Sequence, residues 1–276
     1  MHGRRVAVGL CMFCALLVGA VAAQGAAAAT NGTTAFTCKE KKEAGGAGFS
    51  KAHCTKADSV ESGAKFEHVE IAKGTSTEIS ISNESTGGST VPFLLKYSMG
   101  GVAVPFTATG VTGSGTMENA IDAETGEHYS RGEGTLTFTG VTTSLPGCKV
   151  ATDTSEGGIG ELGVIHTEPL VMTTKGQGDA LKVEAKNPLL VATFHLTGCT
   201  NSALNGTDSV RGSVKGVPSG STVQFTHAAS TAENSLEGAL GTSTKAGVEG
   251  SLTVKAKDPK IGGDEFKPIS PTTITT

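Results

Sequence analysis

The chain contains no tryptophan and only two tyrosines, Tyr97 and Tyr129, among its 276 residues. Proteins that bind sugars on a β-sheet surface commonly stack them on exposed aromatic side chains, because such a ring has a large flat apolar face. The shortage of these side chains gives little support to that mode of binding. It also means that the hydrophobic core must be built from Val, Leu, Ile, Ala and a few Phe.

Arginine is almost as scarce, since only Arg131 and Arg211 lie beyond residue 29. That part of the chain has 20 basic and 26 acidic residues, which gives a formal charge of −6. Arginine is the residue that holds phosphate and guanine with two parallel hydrogen bonds. We therefore expect no nucleic-acid partner for an acidic chain that has few arginines and no basic block.

The first 29 residues have the order of charge and hydrophobicity that is typical of a secretory signal peptide. Arg4 and Arg5 precede an apolar run over residues 6–23, and small residues follow. The run is near the lower length limit for a membrane span. We expect cleavage between Ala23 and Thr30. The mature protein should then be a monomer that is secreted or held in the cell envelope, without stable membrane insertion.

Apolar and polar residues alternate with a period of two through most of the remaining chain. Residues 93–99 and 102–108 alternate on either side of Gly100 and Gly101, and this arrangement predicts a β-hairpin because a Gly pair supplies the positive φ of a primed turn. Such alternation, with one face of the strand exposed to solvent, is typical of antiparallel sheets. It recurs at Val69 and Ile71, Ile79 and Ile81, Leu136 and Phe138, Leu181 and Val183, Val223 and Phe225, and Leu252 and Val254.

Glycine is abundant, with 39 residues, and it recurs inside the alternating stretches, as in "VTGSGTM", "RGEGTLTF" and "GVEGSLTV". Glycine weakens a strand but permits bends, bulges and close packing. Gly or Pro also interrupts nearly every window that could form a helix, and the exception is one or two helical turns over residues 38–44. The sequence predicts an all-β fold, an antiparallel β-sandwich or flattened barrel with a small disulfide-stapled N-terminal cap.

The predicted organisation has four parts: a signal peptide (1–29), a disulfide-looped cap (30–64), the β domain (65–258) and a flexible tail (259–276). The stretches "FTATGVTG", "LTFTGVTT" and "FHLTGCTN" resemble one another. They suggest two similar halves with a boundary near residues 147–161. Richness in Gly and Thr alone could produce the same likeness, so both explanations stay open.

Four cysteines follow the predicted signal peptide. An even number in an exported chain favours two disulfides, and we expect Cys38 to pair with Cys54 and Cys148 with Cys199. Glycine directly precedes both members of the second pair. A local loop of the size that Cys38 and Cys54 would close contributes about 3 kcal/mol. Zinc ligands usually lie two to four residues apart, and these isolated cysteines do not, so no metal is expected.

Other groups of reactive side chains lack the partners that catalysis or metal binding requires. Ser50, His53 and Cys54 lie close in sequence, but "GFSKA" lacks the second glycine of a nucleophile elbow and no oxyanion motif is present. The loop "DAETGE" (122–127) lacks the spacing of an EF-hand. The predicted strands contain three histidines, His166, His195 and His227. His195 is out of phase with its apolar neighbours and His227 is in phase with them, so these two fall on different faces and do not share a ligand.

Several stretches together resemble one family: "FTCKE" and "GFSKAHC" in the head, then "FEHV", "GTLTFTGV", "GCKV", "TTKGQGD" and "GSVKGVPSG". They are similar to uncharacterised exported β-rich proteins of high-GC Gram-positive bacteria, which often occur as paralogues. The resemblance spans most of the mature chain. It implies export and carries no assigned activity, cofactor or site residue.

The leading hypothesis for function is therefore a secreted, non-enzymatic binding or structural protein, extracellular or associated with the cell envelope. Its expected partner is a cell-wall or other extracellular polymer. We assign no catalytic, cofactor-binding or metal-binding residue and no cofactor. The alternative is an extracellular hydrolase that acts on a polysaccharide or lipid through a carboxylate or histidine cluster, so enzymatic activity stays open.

The predicted pairing in the head can be tested by peptide mapping of the mature protein without reduction. We expect a peptide that contains Cys38 to be linked to one that contains Cys54, because the two residues are close in sequence and the expected compartment is oxidising. Free thiols at both positions would contradict the prediction, and the fully reduced protein is the control.

Overall fold

The computed structural model of the chain describes residues 33–51, 59–83, 85–86, 89–99, 102–154, 158–177, 180–187, 190–219, 222–226, 235–238, 244–257 and 266–273. Apart from a short 3₁₀ turn at Ser202–Leu204, the regular structure in these ranges is β-strand, and the predicted all-β fold is confirmed. No helix in these ranges has the length and hydrophobicity to cross a membrane. The strands are β1 (Thr33–Glu40), β2 (Gly48–Phe49), β3 (Ser59–Val60), β4 (Phe66–Glu70), β5 (Thr77–Asn83), β6 (Ser85–Thr86), β7 (Ser89–Thr90), β8 (Phe93–Met99), β9 (Val102–Ala108), β10 (Gly110–Ile121), β11 (His128–Thr139), β12 (Thr142–Thr143), β13 (Lys149–Asp153), β14 (Ile159–Leu162), β15 (Val164–His166), β16 (Leu170–Thr173), β17 (Leu181–Ala185), β18 (Ala192–Thr197), β19 (Gly206–Arg211), β20 (Ser213–Ser219), β21 (Thr222–Thr226), β22 (Glu237–Gly238), β23 (Thr244–Lys257) and β24 (Phe266–Thr273).

Eight of these strands form a closed antiparallel barrel. In order around the barrel they are β5, β10, β11, β16, β17, β20, β21 and β23. The last ladder, in which Ala256 of β23 lies opposite Ile79 of β5, joins the two ends of this series. Closure leaves no free edge along these ladders. Of the two architectures that the sequence allowed, the structure therefore adopts the barrel.

Outer strands lengthen the barrel wall along its longest members. β8 pairs with residues 246–249 of β23, and β15 pairs with residues 137–139 of β11. A series from β13 through β18, β19 and β22 also returns to β23. The predicted hairpin is confirmed, because Phe93 of β8 lies opposite Ala108 of β9 and the pairing continues to the end of both strands. The turn residues 100–101 lie outside the described ranges.

Glycine allows β10 and β11, which form the longest ladder of the barrel, to approach closely. Gly115 of β10 lies directly opposite Gly134 of β11. A Cβ atom on Gly115 would lie 2.1 Å from the backbone oxygen of Glu133, and one on Gly134 would lie 2.6 Å from that of Ser114. Any other residue would therefore clash with the partner strand. The glycines inside "VTGSGTM" and "RGEGTLTF" serve the close packing that the sequence predicts for them.

One of the two expected disulfides is present between described residues. Cys148 follows β12, Cys199 follows β18, and their sulfur atoms are bonded. The glycine before each cysteine has a left-handed conformation, with φ of 75° at Gly147 and 71° at Gly198. The bond closes a loop over a separation of 51 residues, which the chain-entropy account credits with about 4 kcal/mol. Residues 52–58 lie outside the described ranges, so the pairing of Cys38 with Cys54 stays a prediction.

The N-terminal strand joins the two ends of the described chain. β1 pairs with β4 along one edge and with β24 along the other. The helical turns expected over residues 38–44 are wrong, because residues 38–40 continue β1 and its ladder to β4. Residues 266–273, which lie within the predicted tail, form β24. The predicted domain boundaries themselves stay predictions.

A fully buried amide fixes β1 to the barrel. The side-chain nitrogen of Asn119 donates to the backbone oxygens of Ala35 at 2.9 Å and Ile71 at 3.0 Å. Its side-chain oxygen accepts from the backbone nitrogen of Ala35 at 2.9 Å and from the hydroxyl of Ser130 at 2.7 Å. All four of these hydrogen bonds are buried, so a single side chain satisfies backbone groups of β1 and of the segment after β4.

Replacement of Asn119 by Ala should lower the free energy of unfolding by about 3 kcal/mol, because it leaves several buried donors and acceptors without partners. Chemical denaturation followed by circular dichroism measures the loss. The matched control is Thr116→Ala, at an exposed position of the same strand, which should change stability by less than about 0.5 kcal/mol. Equal effects of the two substitutions would contradict the role assigned to Asn119.

Candidate functional site

An apolar cavity of about 140 Å³ lies in the interior of the barrel. Barrel strands and outer strands both contribute side chains to its wall, so the cavity extends under the lengthened part of the sheet. All but three of the lining residues are apolar, and the exceptions are Gly134, Thr167 and Glu184. The cavity is thus lined by side chains of the hydrophobic core.

The alternation visible in the sequence positions this wall. Successive side chains of a strand point to opposite faces, and one set on each barrel strand points inward. Most of the residues that the sequence analysis named as alternating apolar pairs line the cavity. These are Ile81, Leu136, Phe138, Leu181, Val183, Val223, Phe225, Leu252 and Val254.

Aromatic rings form much of the lining. Phe93 has its ring centre 5.6 Å from that of Phe138 and 5.7 Å from that of Phe225, the second pair edge to face. Gly250, with φ of 147°, leaves the space that the Phe93 ring occupies, because a Cβ there would lie 2.5 Å from the ring. Gly216 leaves space in the same way for Phe225, where the distance would be 2.9 Å.

The three exceptions bring little polarity into the cavity. The Thr167 hydroxyl accepts a hydrogen bond from the backbone nitrogen of Leu136 at 2.9 Å. Glu184 forms an ion pair with Lys182, with 2.6 Å between Oε2 and Nζ. These two residues share one face of β17 and alternate with the inward-pointing Val183, so the ion pair lies on the outer face. Gly134 has no side chain.

Tyr97 lies behind the cavity wall and is almost completely buried. Its ring packs edge to face on Phe106 at 5.3 Å between centres. A Cβ on Gly238 would overlap the Tyr97 ring, so only glycine fits there. Burial raises the pKa of the Tyr97 hydroxyl far above its usual value, and the negative charge of the buried Asp208 adds to the effect.

In the acidic loop 122–127, Asp122 makes hydrogen bonds and an ion pair with other residues of the protein. Asp122 accepts hydrogen bonds from the backbone nitrogens of Glu124 at 3.0 Å and Thr125 at 2.8 Å and forms an ion pair with Lys175. The hydrogen bond from Lys175 is the main cause that lowers the pKa of the Asp122 carboxyl. The loop therefore joins the tip of the β10–β11 hairpin to the turn after β16.

The candidate catalytic and histidine residues do not form a site in the described chain. His166 is exposed and lies 2.9 Å from the Thr137 hydroxyl. His195 is half-buried, while its neighbours Phe194 and Leu196 are buried, as its phase predicts. Ser50 is exposed. Within the described ranges, no group of three or more His, Cys, Asp or Glu residues could hold a metal ion. His53, Cys54 and His227 lie outside those ranges.

The cavity is the feature that sequence reasoning missed. Alternation shows which side chains point inward, but it does not show how much space they leave between them. The in-strand glycines beside Phe93 and Phe225 were the available signal, because they indicate rings packed against backbone. Comparisons with protein-family models, curated proteins and solved structures find no match to this chain.

The burial of Tyr97 can be tested by alkaline titration of a Tyr129→Phe variant, whose remaining tyrosine is Tyr97. An exposed tyrosine ionises near pH 10. Because the pKa of Tyr97 is raised, the folded state keeps this proton and the unfolded state releases it. Stability should thus be intact below about pH 10 and fall as the pH rises above it.

Absorbance at 295 nm, recorded together with circular dichroism, should rise only when the variant unfolds. The same variant in denaturant is the control and should titrate near pH 10. A reversible rise near that pH in the folded variant would contradict the assignment.

Proposed function

We propose that this protein is an exported, non-enzymatic binding protein that holds a small apolar molecule inside its barrel. The observation that carries the proposal is the 140 Å³ cavity and its apolar lining. A closed barrel of about eight strands has an interior that side chains can fill or that can hold one small ligand. Here the side chains leave space for a ligand.

The energetic cost of the cavity supports this proposal. Protein interiors are close-packed and contain few voids larger than a water molecule. A void costs about 24 cal/mol per Å³, so one of 140 Å³ costs about 3 kcal/mol. An apolar guest would restore the dispersion contacts that the lining side chains lack. Binding would therefore stabilise the protein.

Export is supported by two features of the chain. The N-terminal residues have the pattern of a signal peptide, and the Cys148–Cys199 disulfide is of a kind that persists mainly in oxidising compartments. The place of action in this proposal is the extracellular space or the cell envelope. An interior cavity suits a small molecule better than the cell-wall polymer that the sequence led us to expect.

The alternative of an extracellular hydrolase gains no supporting arrangement from the described residues. A hydrolase needs a nucleophile or acid–base pair within reach of bound substrate. The titratable residue among those that line the cavity is Glu184, and its carboxylate is paired with Lys182. We therefore develop the binding function.

A Val183→Phe substitution should abolish binding, because Val183 lines the cavity beside Val214, its neighbour on β20, and a larger ring would fill the space. Binding is measured by isothermal titration calorimetry with benzene, a neutral single-ring probe whose size suits a cavity of this volume. We expect saturable binding to the wild-type protein and a loss of at least tenfold in affinity for the variant. The variant should keep or gain thermal stability, because it fills a void instead of overpacking a dense core.

The matched control is Val217→Phe, the same substitution at a position of β20 that is 53% exposed. It should bind the probe like the wild type. Equal binding by all three proteins would overturn the proposal, because the probe would then be bound on the surface.

A further inference from the structure

We infer that the cavity selects an uncharged, compact carbon-ring compound, of the size of benzene or toluene, and excludes fatty acids and other charged amphiphiles. This inference rests on the proposed function and specifies the chemical class of the ligand. Three properties of the cavity support the inference: its volume, the aromatic rings in its wall and the lack of charge in that wall.

The volume favours a single ring. A dry protein cavity of about 150 Å³ lined by Leu, Ile and Phe admits benzene, and the cavity described here has nearly the same size, about 140 Å³, and a similar lining. A long acyl chain has many more carbon atoms than such a space accommodates. A compact molecule can occupy it without movement of the strands.

The ring content favours an aromatic guest over an aliphatic one. Five phenylalanines line the cavity, namely Phe93, Phe106, Phe138, Phe194 and Phe225. Three of them form a chain of contacts centred on Phe93, with ring centres 5.6 and 5.7 Å apart. Aromatic pairs at 4.5–7 Å gain about 0.5–1.5 kcal/mol beyond the burial of their area. A ring in the cavity can join this cluster.

The lack of charge excludes an ionised head group. The Glu184 carboxylate is paired on the outer face of β17, and the Thr167 hydroxyl carries no charge. A ligand carboxylate inside the cavity would find no cationic partner among its described lining residues. Burial of an unpaired charge is far more costly than the gain from a short apolar chain.

The experiment measures the binding of three ligands to the mature protein, by isothermal titration calorimetry and by thermal shift: toluene, methylcyclohexane and decanoate. We expect toluene to bind most tightly and decanoate not to bind. A Phe138→Leu variant should lose about three- to tenfold in affinity for toluene and little for methylcyclohexane, because it removes a ring and keeps an apolar wall. Phe49→Leu is the control, since Phe49 packs on His68 in the N-terminal region, away from the lining residues.

The outcomes separate this inference from the proposed function. Decanoate binding as tight as that of toluene, and lost in Val183→Phe, would overturn the ligand class and leave the binding function intact. Equal loss of toluene and methylcyclohexane in Phe138→Leu would overturn the role of the rings. Failure of the probe and of all three ligands to bind the wild-type protein would overturn both.

Discussion

The whole structure depends on one long-range pairing, in which β23 meets β5 and closes the barrel. Val254 lies opposite Ile81, and the same strand carries β21 on its other edge and β8 and β22 near its start. Without this strand, the barrel would be an open sheet and its apolar face would be exposed to water. The cavity exists because closure sets a perimeter, and the inward side chains do not fill all that it encloses.

The sequence predicted the parts that depend on local pattern. Alternation identified inward residues such as Ile79 and Phe225, the double glycine identified the β8–β9 hairpin, and the glycines before Cys148 and Cys199 accompanied a disulfide that the structure contains. Pairing between distant strands has no local signature, so the choice between sandwich and barrel stayed open. The turns expected over residues 38–44 were wrong because a ladder to β4 outweighed local helix propensity.

The cavity was the other feature that the alternation of apolar and polar residues could not predict. A barrel interior in which Val183 and Val214 lie side by side on neighbouring strands has the same alternation as one in which Phe occupies either position. The two interiors would differ in the size of a side chain and in the curvature of the sheet, and alternation shows neither. Gly115 and Gly134 allow two strands of the wall to approach closely, and Asn119 fixes β1 against the wall. The shape of the candidate site thus depends in part on residues that contribute no side chain to its lining.

The place of β23 in the chain has a consequence for biogenesis. A polypeptide is made from its N-terminus, so β5 emerges long before residues 252–256, its partners in the closing ladder. β1 likewise waits for β24 to complete its second ladder. In the nascent chain these strands have open edges and an uncovered apolar face, both of which invite aggregation. Native closure therefore has to wait for the synthesis of β23, and until then the growing chain depends on protection of these edges from other chains.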